Sequence, residues 1–389
     1  MSNIAVFLPS SDKLTGAPKR VLTLCSELER HGFKVTVLAT KDSAAAQEAP
    51  RRGLNTVVID QGRVLSQKHG ALFRPDRAFI AAFSLLTYNL RLLWRLRSSK
   101  IKCVWIRSGK GIAFYALGAA MAGAKIVWDI AYELPSRGVV RLFHRLGLAM
   151  STIVVTQYRS APVRIFGEHL ASRYSRQFVP LIPGIEQATL DPLQEQRVQR
   201  EDKRNGCFTI LHVGTICRRK AQCTTVQAAS RLARLAPHLS FKVLFAGSEY
   251  EMDYFREIKE LCTEYGLTEH VCFLGWRDDV TELMADADVV VLPSMDEGMP
   301  NTLQEAMYIG VPVVSSPVGG VEEIVEDGVT GWVVPLYDLQ GWADRLAYIA
   351  ANPSLAKEVA KKGREFAEAN FNAGSWAKRY ADIIRDRCF

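Results

Sequence analysis

The sequence lacks the features that mark secreted, metal-binding or membrane-spanning chains. Its eight cysteines are scattered and form no C-x-x-C pair, so we expect free structural thiols, a reducing compartment and no bound metal. The longest apolar runs, such as residues 112–124, are too short to span a bilayer. Residues 1–3 lead straight into an apolar stretch and show no signal-peptide pattern. These absences predict a cytoplasmic protein.

Short internal repeats and low-complexity tracts are absent too, which argues against solenoid and disordered classes. With 48% apolar and 23% charged residues, the composition is typical of an ordinary soluble globular protein. A chain of 389 residues is long enough for two domains, each with its own core.

Acidic residues are scarce in the first half of the chain. Residues 1–190 hold 27 Lys and Arg against 11 Asp and Glu, whereas the remainder holds 22 against 30. A basic front half indicates an anionic partner, such as a membrane surface or a lipid diphosphate. We do not expect nucleic acid as the partner, because the sequence contains no recognised nucleic-acid-binding module.

Short apolar runs alternate with helical patterns along the whole chain, which is typical of parallel sheets covered by helices on both faces. The predicted strands are residues 4–9, 35–39, 56–59, 103–106, 126–130, 152–156, 208–213, 242–246, 271–274, 288–292 and 312–315. We therefore predict an α/β protein with two Rossmann-like domains facing a central cleft.

The domain boundaries follow from a polar, charged stretch in the middle of the chain. We predict an N-terminal domain at 1–186, a linker at 187–206 and a C-terminal domain at 207–372. Residues 373–389 are predicted to form a helix that packs back on the N-terminal domain. In such sheets, ligands bind at the carboxyl ends of the strands.

The most informative motif follows the predicted strand at 288–292. Residues 296–307 read D-E-G-M-P-N-T-L-Q-E-A-M and place Glu297 and Glu305 eight positions apart, around a Gly/Pro turn that leads into a helix. The free N–H groups and the dipole of a helix start favour a bound anion. A phosphate pocket with acids on its rim indicates a ligand with both phosphates and hydroxyls, such as a sugar nucleotide.

Across its C-terminal half, the sequence resembles the retaining glycosyltransferases of family 4, which have the GT-B fold. The resemblance rests on the E-x7-E motif from Glu297 to Glu305, the segments Gly310-Val311-Pro312-Val313-Val314, Gly319-Gly320-Val321-Glu322-Glu323-Ile324-Val325 and Asp327-Gly328-Val329-Thr330-Gly331, and the block from Leu211-His212-Val213-Gly214 through Arg219-Lys220.

The resemblance implies a role for each of these residues. Glu305 would accept hydrogen bonds from the ribose of the donor nucleotide, and Glu297 would contact hydroxyls of the donor sugar. Lys220, with Arg219 beside it, would neutralise the diphosphate, so these two cations and Glu297 form the implied catalytic set. Family members are generally metal-independent, and neither a metal nor a cofactor is expected. The other implied donor-binding residues are Gly16, Ala17, Gly214, Thr215, Asn301, Thr302, Leu303, Gly319 and Gly320.

The chain departs from the family pattern at several positions. Thr215 stands where the family often has Arg, which leaves Arg218 or Arg219 to supply that charge, and Ala221 replaces the usual glycine after the lysine. Many members carry a histidine after the strand equivalent to residues 126–130, and this chain has none. The candidates for the acceptor side of the cleft are Asp129, Tyr132 and Glu133, with no catalytic role assigned.

Residues 76–100 combine large apolar side chains with five basic ones. They fit either an amphipathic helix on a membrane surface or a core helix with a basic outer end. The membrane alternative predicts peripheral contact with anionic lipid on the inner face of the cell membrane.

We therefore expect a retaining hexosyltransferase that moves a hexose or N-acetylhexosamine from a nucleoside-diphosphate sugar to an acceptor hydroxyl, with UDP favoured over GDP. The expected acceptor is a sugar or a lipid-linked saccharide of cell-surface polysaccharide or glycolipid biosynthesis. Two alternatives stay open. One is an epimerase, hydrolase or phosphorylase of the same fold, and the other is a non-enzymatic nucleotide-sugar-binding scaffold.

Overall fold

The protein forms two compact units, each built around its own parallel sheet. The structure is a computed structural model and describes residues 2–8, 16–41, 43–59, 78–130, 138–200 and 206–389. One unit is Met1–Gly184 with Ala373–Phe389, and the other is Ile185–Asn372. The prediction of two Rossmann-like α/β domains is confirmed.

In the described part of the first unit, seven parallel strands form one sheet in the order β3-β2-β1-β4-β5-β6-β7. They are β1 (Ser2–Phe7), β2 (Phe33–Ala39), β3 (Asn55–Val58), β4 (Cys103–Arg107), β5 (Lys125–Ile130), β6 (Ile153–Thr156) and β7 (Phe178–Pro180). Ile4 of β1 pairs with Val35 of β2 on one side and with Cys103 of β4 on the other. The central strands are continuous apolar runs because both faces of the sheet are covered.

Helices of the first unit lie in two layers. The described ones that precede the second unit are α1 (Gly16–Arg30), α2 (Ala44–Arg51), α3 (Ala78–Ser98), α4 (Ser108–Met121), α5 (Gly138–Met150), α6 (Ala161–Phe166) and α7 (Glu168–Arg173). From β1 the chain first adds β2 and β3 on one side, and it then adds β4 to β7 on the other side. Because each crossover is right-handed, α1 and α2 lie on one face of the sheet and α3, α4 and α5 lie on the other. Accordingly α4 packs against both α3 and α5, and α1 contacts α2. No helix in the described ranges combines the length and apolarity needed to cross a membrane.

The second unit repeats this plan with six strands among its described residues, in the order β10-β9-β8-β11-β12-β13. They are β8 (Phe208–Val213), β9 (Phe241–Ala246), β10 (Val271–Gly275), β11 (Val289–Leu292), β12 (Val313–Ser315) and β13 (Trp332–Val333). The helices are α8 (Asp191–Arg200), α9 (Gln222–Leu235), α10 (Met252–Glu264), α11 (Val280–Asp286), α12 (Asn301–Ile309), α13 (Leu339–Ala351) and α14 (Pro353–Asn370). The strand order reverses between β8 and β11, and such a switch point leaves a crevice at the carboxyl ends of the strands.

Much of the predicted linker at 187–206 is part of the second unit. Its described residues form a 3-10 turn at Gln187–Thr189 and the helix α8. Arg197 of α8 is buried and donates hydrogen bonds to the carbonyls of Ala285 and Ala287 at 2.9 and 2.7 Å and to that of Gly310 at 3.0 Å. The linker prediction was wrong here because a polar sequence does not show which carbonyls its arginine will satisfy. Residues 201–205 lie outside the described residues.

The C-terminal helix α15 (Ala373–Cys388) belongs to the first unit. It packs against α1 and shares the core on that face of the sheet, where Trp376, Tyr380 and Ile384 are buried. The Tyr380 hydroxyl donates a hydrogen bond to the Asp129 carboxylate at the end of β5. The last helix is thus held by both apolar packing and a buried polar contact.

Candidate functional site

A buried carboxylate and two cations meet at the switch point of the second unit. Because β8 and β11 are parallel neighbours, the loops that follow them leave the same edge of the sheet. The first loop carries Arg219 and Lys220, and the second carries Glu297. Lys220 Nζ lies 2.6 Å from Glu297 Oε1, and Arg219 Nη1 lies 3.3 Å from Glu297 Oε2. The structure thus brings together the three residues predicted as the catalytic set.

Further hydrogen bonds hold the two loops together. The Met295 N–H donates to the Arg219 carbonyl at 2.8 Å, and Arg219 Nη1 donates to the Asp296 carbonyl at 2.8 Å. Ser294 Oγ donates to Glu297 Oε1 at 2.7 Å, and Ser316 Oγ donates to the Ser294 carbonyl at 2.5 Å. The Glu297 carboxylate is therefore fixed by contacts from both loops.

Neither Ser294 nor Ser316 was predicted from the sequence as part of the site. One local signal was available: Ser294 is the first polar residue after the apolar end of β11 and stands three positions before Glu297. Ser316 follows β12, and only the alignment of that strand beside β11 brings it near Ser294.

The cluster combines the carboxylate of Glu297 with the cations of Lys220 and Arg219. Burial by itself would raise the pKa of Glu297, but Lys220 and Arg219, with the hydrogen bonds from Lys220 and Ser294, hold it below its usual range. The carboxylate is therefore ionised near neutral pH. Lys220 and Glu297 are 12% and 10% exposed, whereas Arg219 is 38% exposed, so the arginine lies at the more open side of the cluster. Such a site favours an anionic ligand.

Glycines let the loops approach each other closely. Gly214 follows β8 with φ +154°, and a Cβ there would lie 3.1 Å from Lys220 Cε, so the lysine stem lies over this residue. Gly319 has φ +57°, and a Cβ there would overlap the Glu297 and Gly298 carbonyls. The Gly320 N–H donates to the Gly298 carbonyl at 2.8 Å. The predicted residues Gly214, Gly319 and Gly320 thus form the backbone walls around the cluster.

The amides that were predicted to bind an anion lie at the start of α12. Pro300 is the N-cap and makes no side-chain capping bond, so no cap competes for the N–H groups of Asn301, Thr302 and Leu303. The Leu303 side chain is fully buried, which leaves its backbone as the part that can meet a ligand. Glu305 lies one turn further along α12 and is half-buried.

Arg218 and Arg219 have different surroundings. Arg218 Nη2 lies 2.7 Å from Glu257 Oε2, and its guanidinium stands 5.1 Å from the centre of the Tyr254 ring. It therefore belongs with α10, and Arg219 is the one that contacts Glu297. The Thr215 carbonyl accepts a hydrogen bond of 3.1 Å from the amide of buried Gln222, which positions the loop after β8.

The positions of the predicted first-unit residues say less about a binding site. Gly16 and Ala17 are the first two residues of α1. Asp129 is 4% exposed, and burial raises its pKa against the opposing effects of Arg107, the Tyr380 hydrogen bond and Arg20. Tyr380 of α15 is thus its hydrogen-bonding neighbour, and Asp129 presents little surface to an acceptor. Tyr132 and Glu133 lie outside the described residues.

Comparison with solved structures defines the class of fold. The protein is similar to Anabaena Alr3699/HepE in complex with UDP and glucose, with a TM-score of 0.79 and 18% identity, covering 99% of this chain and 100% of that one. It is also similar to sucrose-phosphate synthase from Thermosynechococcus elongatus, with a TM-score of 0.76, 20% identity and 99% of each chain covered. At these identities the likeness shows the fold alone, which is the GT-B fold.

The family match lies in the second unit. Residues 194–366 match the family model of glycosyl transferases group 1. The putative glycosyltransferase EpsD of Bacillus subtilis is 28% identical over 50% of each chain. A GDP-mannose-dependent alpha-(1-6)-phosphatidylinositol monomannoside mannosyltransferase of Mycobacterium tuberculosis is 26% identical over 77% of this chain and 80% of its own. The chain spans about half the length of several curated relatives that it matches, EpsD among them. Together these findings show the GT-B fold and a likeness of residues 194–366 to glycosyl transferases group 1.

Proposed function

We propose that this protein is a retaining glycosyltransferase that moves a hexose or N-acetylhexosamine from a nucleoside-diphosphate sugar, a UDP-sugar before a GDP-sugar, to an acceptor hydroxyl. The first unit takes the acceptor, a sugar or lipid-linked saccharide of cell-surface polysaccharide or glycolipid biosynthesis. The observation that carries the proposal is the Lys220–Glu297–Arg219 cluster at the switch point of the second unit, beside the uncapped start of α12.

The cluster suits the departure of a diphosphate. Breaking the bond to the sugar builds negative charge on the leaving group, and oriented cations and N–H donors stabilise that charge more in the transition state than in the ground state. Lys220 is already fixed by Glu297 and by its packing over Gly214, so little reorganisation accompanies the reaction. Arg219, the more exposed cation, meets the diphosphate from the open side.

Glu297 has a double role in this proposal. Its carboxylate orients Lys220, and its remaining acceptor capacity binds hydroxyls of the donor sugar, as Glu305 binds those of the ribose. Because Glu297 is already held by two cations and Ser294, it serves as an orienting group and not as the nucleophile of a covalent intermediate. Retention then follows from attack on the face that the diphosphate leaves, with the departing phosphate accepting the acceptor's proton.

The first experiment is a thermal-shift screen of UDP- and GDP-sugars. A ligand at a hundred times its Kd should add about 2.7 kcal/mol to the free energy of unfolding. Glu305→Ala should lose that shift while keeping the melting temperature of the free protein. If no nucleotide sugar stabilises the wild-type protein, the proposal that it binds a nucleotide-sugar donor is refuted.

The second experiment follows the product. With the best donor and a panel of free-sugar and lipid-diphosphate acceptors, proton NMR of the newly formed linkage should show the donor's anomeric configuration. An inverted product contradicts the retaining assignment. Quantitative conversion of the donor without any acceptor would instead indicate the epimerase or hydrolase alternative.

A further inference from the structure

An apolar stripe runs along the outer side of α3 in the first unit. Ile80, Phe83, Leu86, Leu90 and Trp94 recur at spacings of three and four residues, so they share one face of the helix. All five side chains are about half exposed or more, with Phe83 at 60% and Trp94 at 67%. Contiguous exposed apolar side chains of this size mark an interaction surface.

The core of the unit does not account for this stripe. The inward side of α3 buries Tyr88, Leu92 and Leu96, and Asn89 donates to the Phe114 carbonyl of α4 at 3.0 Å. Those contacts pack the helix against α4. A core helix with a basic outer end would need the buried side only, so the second apolar face requires another explanation.

Neighbouring helices carry further exposed apolar side chains. Because α4 packs against both α3 and α5, apolar side chains exposed on these helices belong to one layer of the unit. They are Leu117 and Met121 of α4 and Leu142 and Leu146 of α5. Beside the stripe, a hollow is lined by Val57, Val58, Ile59, Leu90, Arg91, Trp94 and Arg95. We call the outer faces of α3, α4 and α5 the apolar-basic face.

The charges around this face have one sign. Residues 77–128 contain nine Lys and Arg and no Asp or Glu, and α5 likewise has no acidic residue. Arg91 and Arg95 are exposed next to the stripe on α3, and Arg141 and Arg145 are exposed next to Leu142 and Leu146 on α5. The face therefore combines exposed apolar side chains with exposed basic ones, which is the pattern of a helix lying in the headgroup region of an anionic bilayer.

We propose that the apolar-basic face docks on an anionic lipid bilayer, with α3 lying in the plane of the interface. Trp94 and Phe83 enter the headgroup boundary, and the arginines on α3 and α5 contact lipid phosphates. Charge complementarity selects this occupant, because a uniformly basic face fits a uniformly anionic one. The inference stands on the first unit alone and does not depend on the proposed glycosyl transfer.

The test is co-sedimentation of the full chain, without any sugar nucleotide, with vesicles of phosphatidylcholine alone or of phosphatidylcholine with phosphatidylglycerol. We expect binding to the anionic vesicles that weakens as salt is raised. Arg91→Gln with Arg95→Gln should weaken it roughly twentyfold or more, since each basic residue near the surface contributes about 1 kcal/mol. Phe83→Ser with Trp94→Ser should weaken it on the order of tenfold or more.

Matched controls come from the other unit. Tyr337 is 81% exposed, and Lys361 and Lys362 are exposed on α14. Tyr337→Ser and the double change Lys361→Gln with Lys362→Gln should leave vesicle binding unchanged. Because all of these side chains are exposed, every variant should keep the wild-type melting temperature, which circular dichroism checks.

Three results would overturn the proposal. The first is a wild-type protein that sediments no more with anionic vesicles than without them. The second is a pair of α3 variants that bind as well as wild type. The third is a stable dimer in light scattering that the Phe83/Trp94 variant dissociates, with no vesicle binding, which would assign the face to a second copy of the chain.

Discussion

Replacing Lys220 by methionine separates its structural contribution from its chemical one. Methionine keeps an unbranched apolar stem over Gly214 and removes the ammonium group that lies 2.6 Å from Glu297. Breaking a buried pair by removing one partner typically costs about 3–5 kcal/mol. Here Arg219, at 3.3 Å, and the Ser294 hydroxyl still hold the carboxylate, so we expect a smaller loss of about 2 kcal/mol. Urea denaturation of Lys220→Met against wild type measures it.

The loss of activity in Lys220→Met should have a different physical cause from the loss of stability. Removing one donor to a developing anion typically costs about 3 kcal/mol, or roughly a hundred- to a thousandfold in kcat. The double variant Lys220→Met with Glu297→Gln removes the uncompensated buried charge, and its free energy of unfolding should return to within about 1 kcal/mol of wild type. Its turnover with the donor found in the thermal-shift screen should stay as low as that of Lys220→Met, or lower.

Recovered turnover in the double variant would refute a direct role of the lysine, whereas low turnover is expected both from that role and from the loss of the proposed Glu297 contacts to the donor sugar. If neutralising Glu297 were its whole role, stability and turnover would recover together, and a direct contribution of the Lys220 ammonium to catalysis would be refuted.

The loss of stability at acidic pH offers a second check. Since the pKa of Glu297 is lowered in the folded protein, its contribution to stability is present above the ordinary glutamate pKa and is lost as the pH falls through the lowered value. In Lys220→Met this acid-dependent loss should be smaller, because the main opposite charge is gone.

Three further changes test the architecture by urea denaturation. Gly319→Ala should lower the free energy of unfolding by about 3 kcal/mol or more, because the added Cβ would overlap backbone carbonyls. Its control, Gly328→Ala, lies at φ +72° with open space around it and should cost about 1–2 kcal/mol. Equal losses would contradict the close approach of the backbone to Gly319. Ala221→Gly should stabilise the protein by about 1 kcal/mol, because Ala221 has φ +52°, and a destabilised variant would argue against that conformation. Arg197→Met should cost about 2–4 kcal/mol by leaving buried carbonyls unsatisfied, and an unchanged midpoint would argue that α8 is held by other contacts.

Alternating apolar runs and helical patterns were enough to predict the class of fold and most of the strands. The two strands that were not predicted, β7 and β13, have three and two residues and stand at the edges of their sheets. Strands this short contain no apolar run long enough to recognise, and they form because a neighbouring strand offers free backbone groups. The error over the linker has the same origin, since α8 is stabilised by carbonyls from distant helix ends.

The candidate site divides in a similar way. Its local parts could be predicted: a glycine after β8, two cations before α9, and a Gly/Pro turn with a glutamate at each end of the motif. Each is a short pattern whose chemistry depends on nearby residues. The sequence left Arg218 or Arg219 to supply the charge that is missing at Thr215. The structure places Arg219 in the cluster, because adjacent side chains leave the backbone in different directions and Glu257 of α10 pairs with Arg218.

By itself the sequence determined the alternation of strands and helices, the glycines and the charged residues after β8 and β11, since these are properties of short stretches of chain. Tertiary structure alone decided that Lys220 and Glu297, separated by 77 positions, share a hydrogen bond, that Ser294 and Ser316 support them, and that Asp129 is buried against Tyr380. Those outcomes depend on which strands lie side by side and on which groups remain to satisfy a buried charge. Long-range packing determines both, and no short stretch of the sequence shows how the chain will pack.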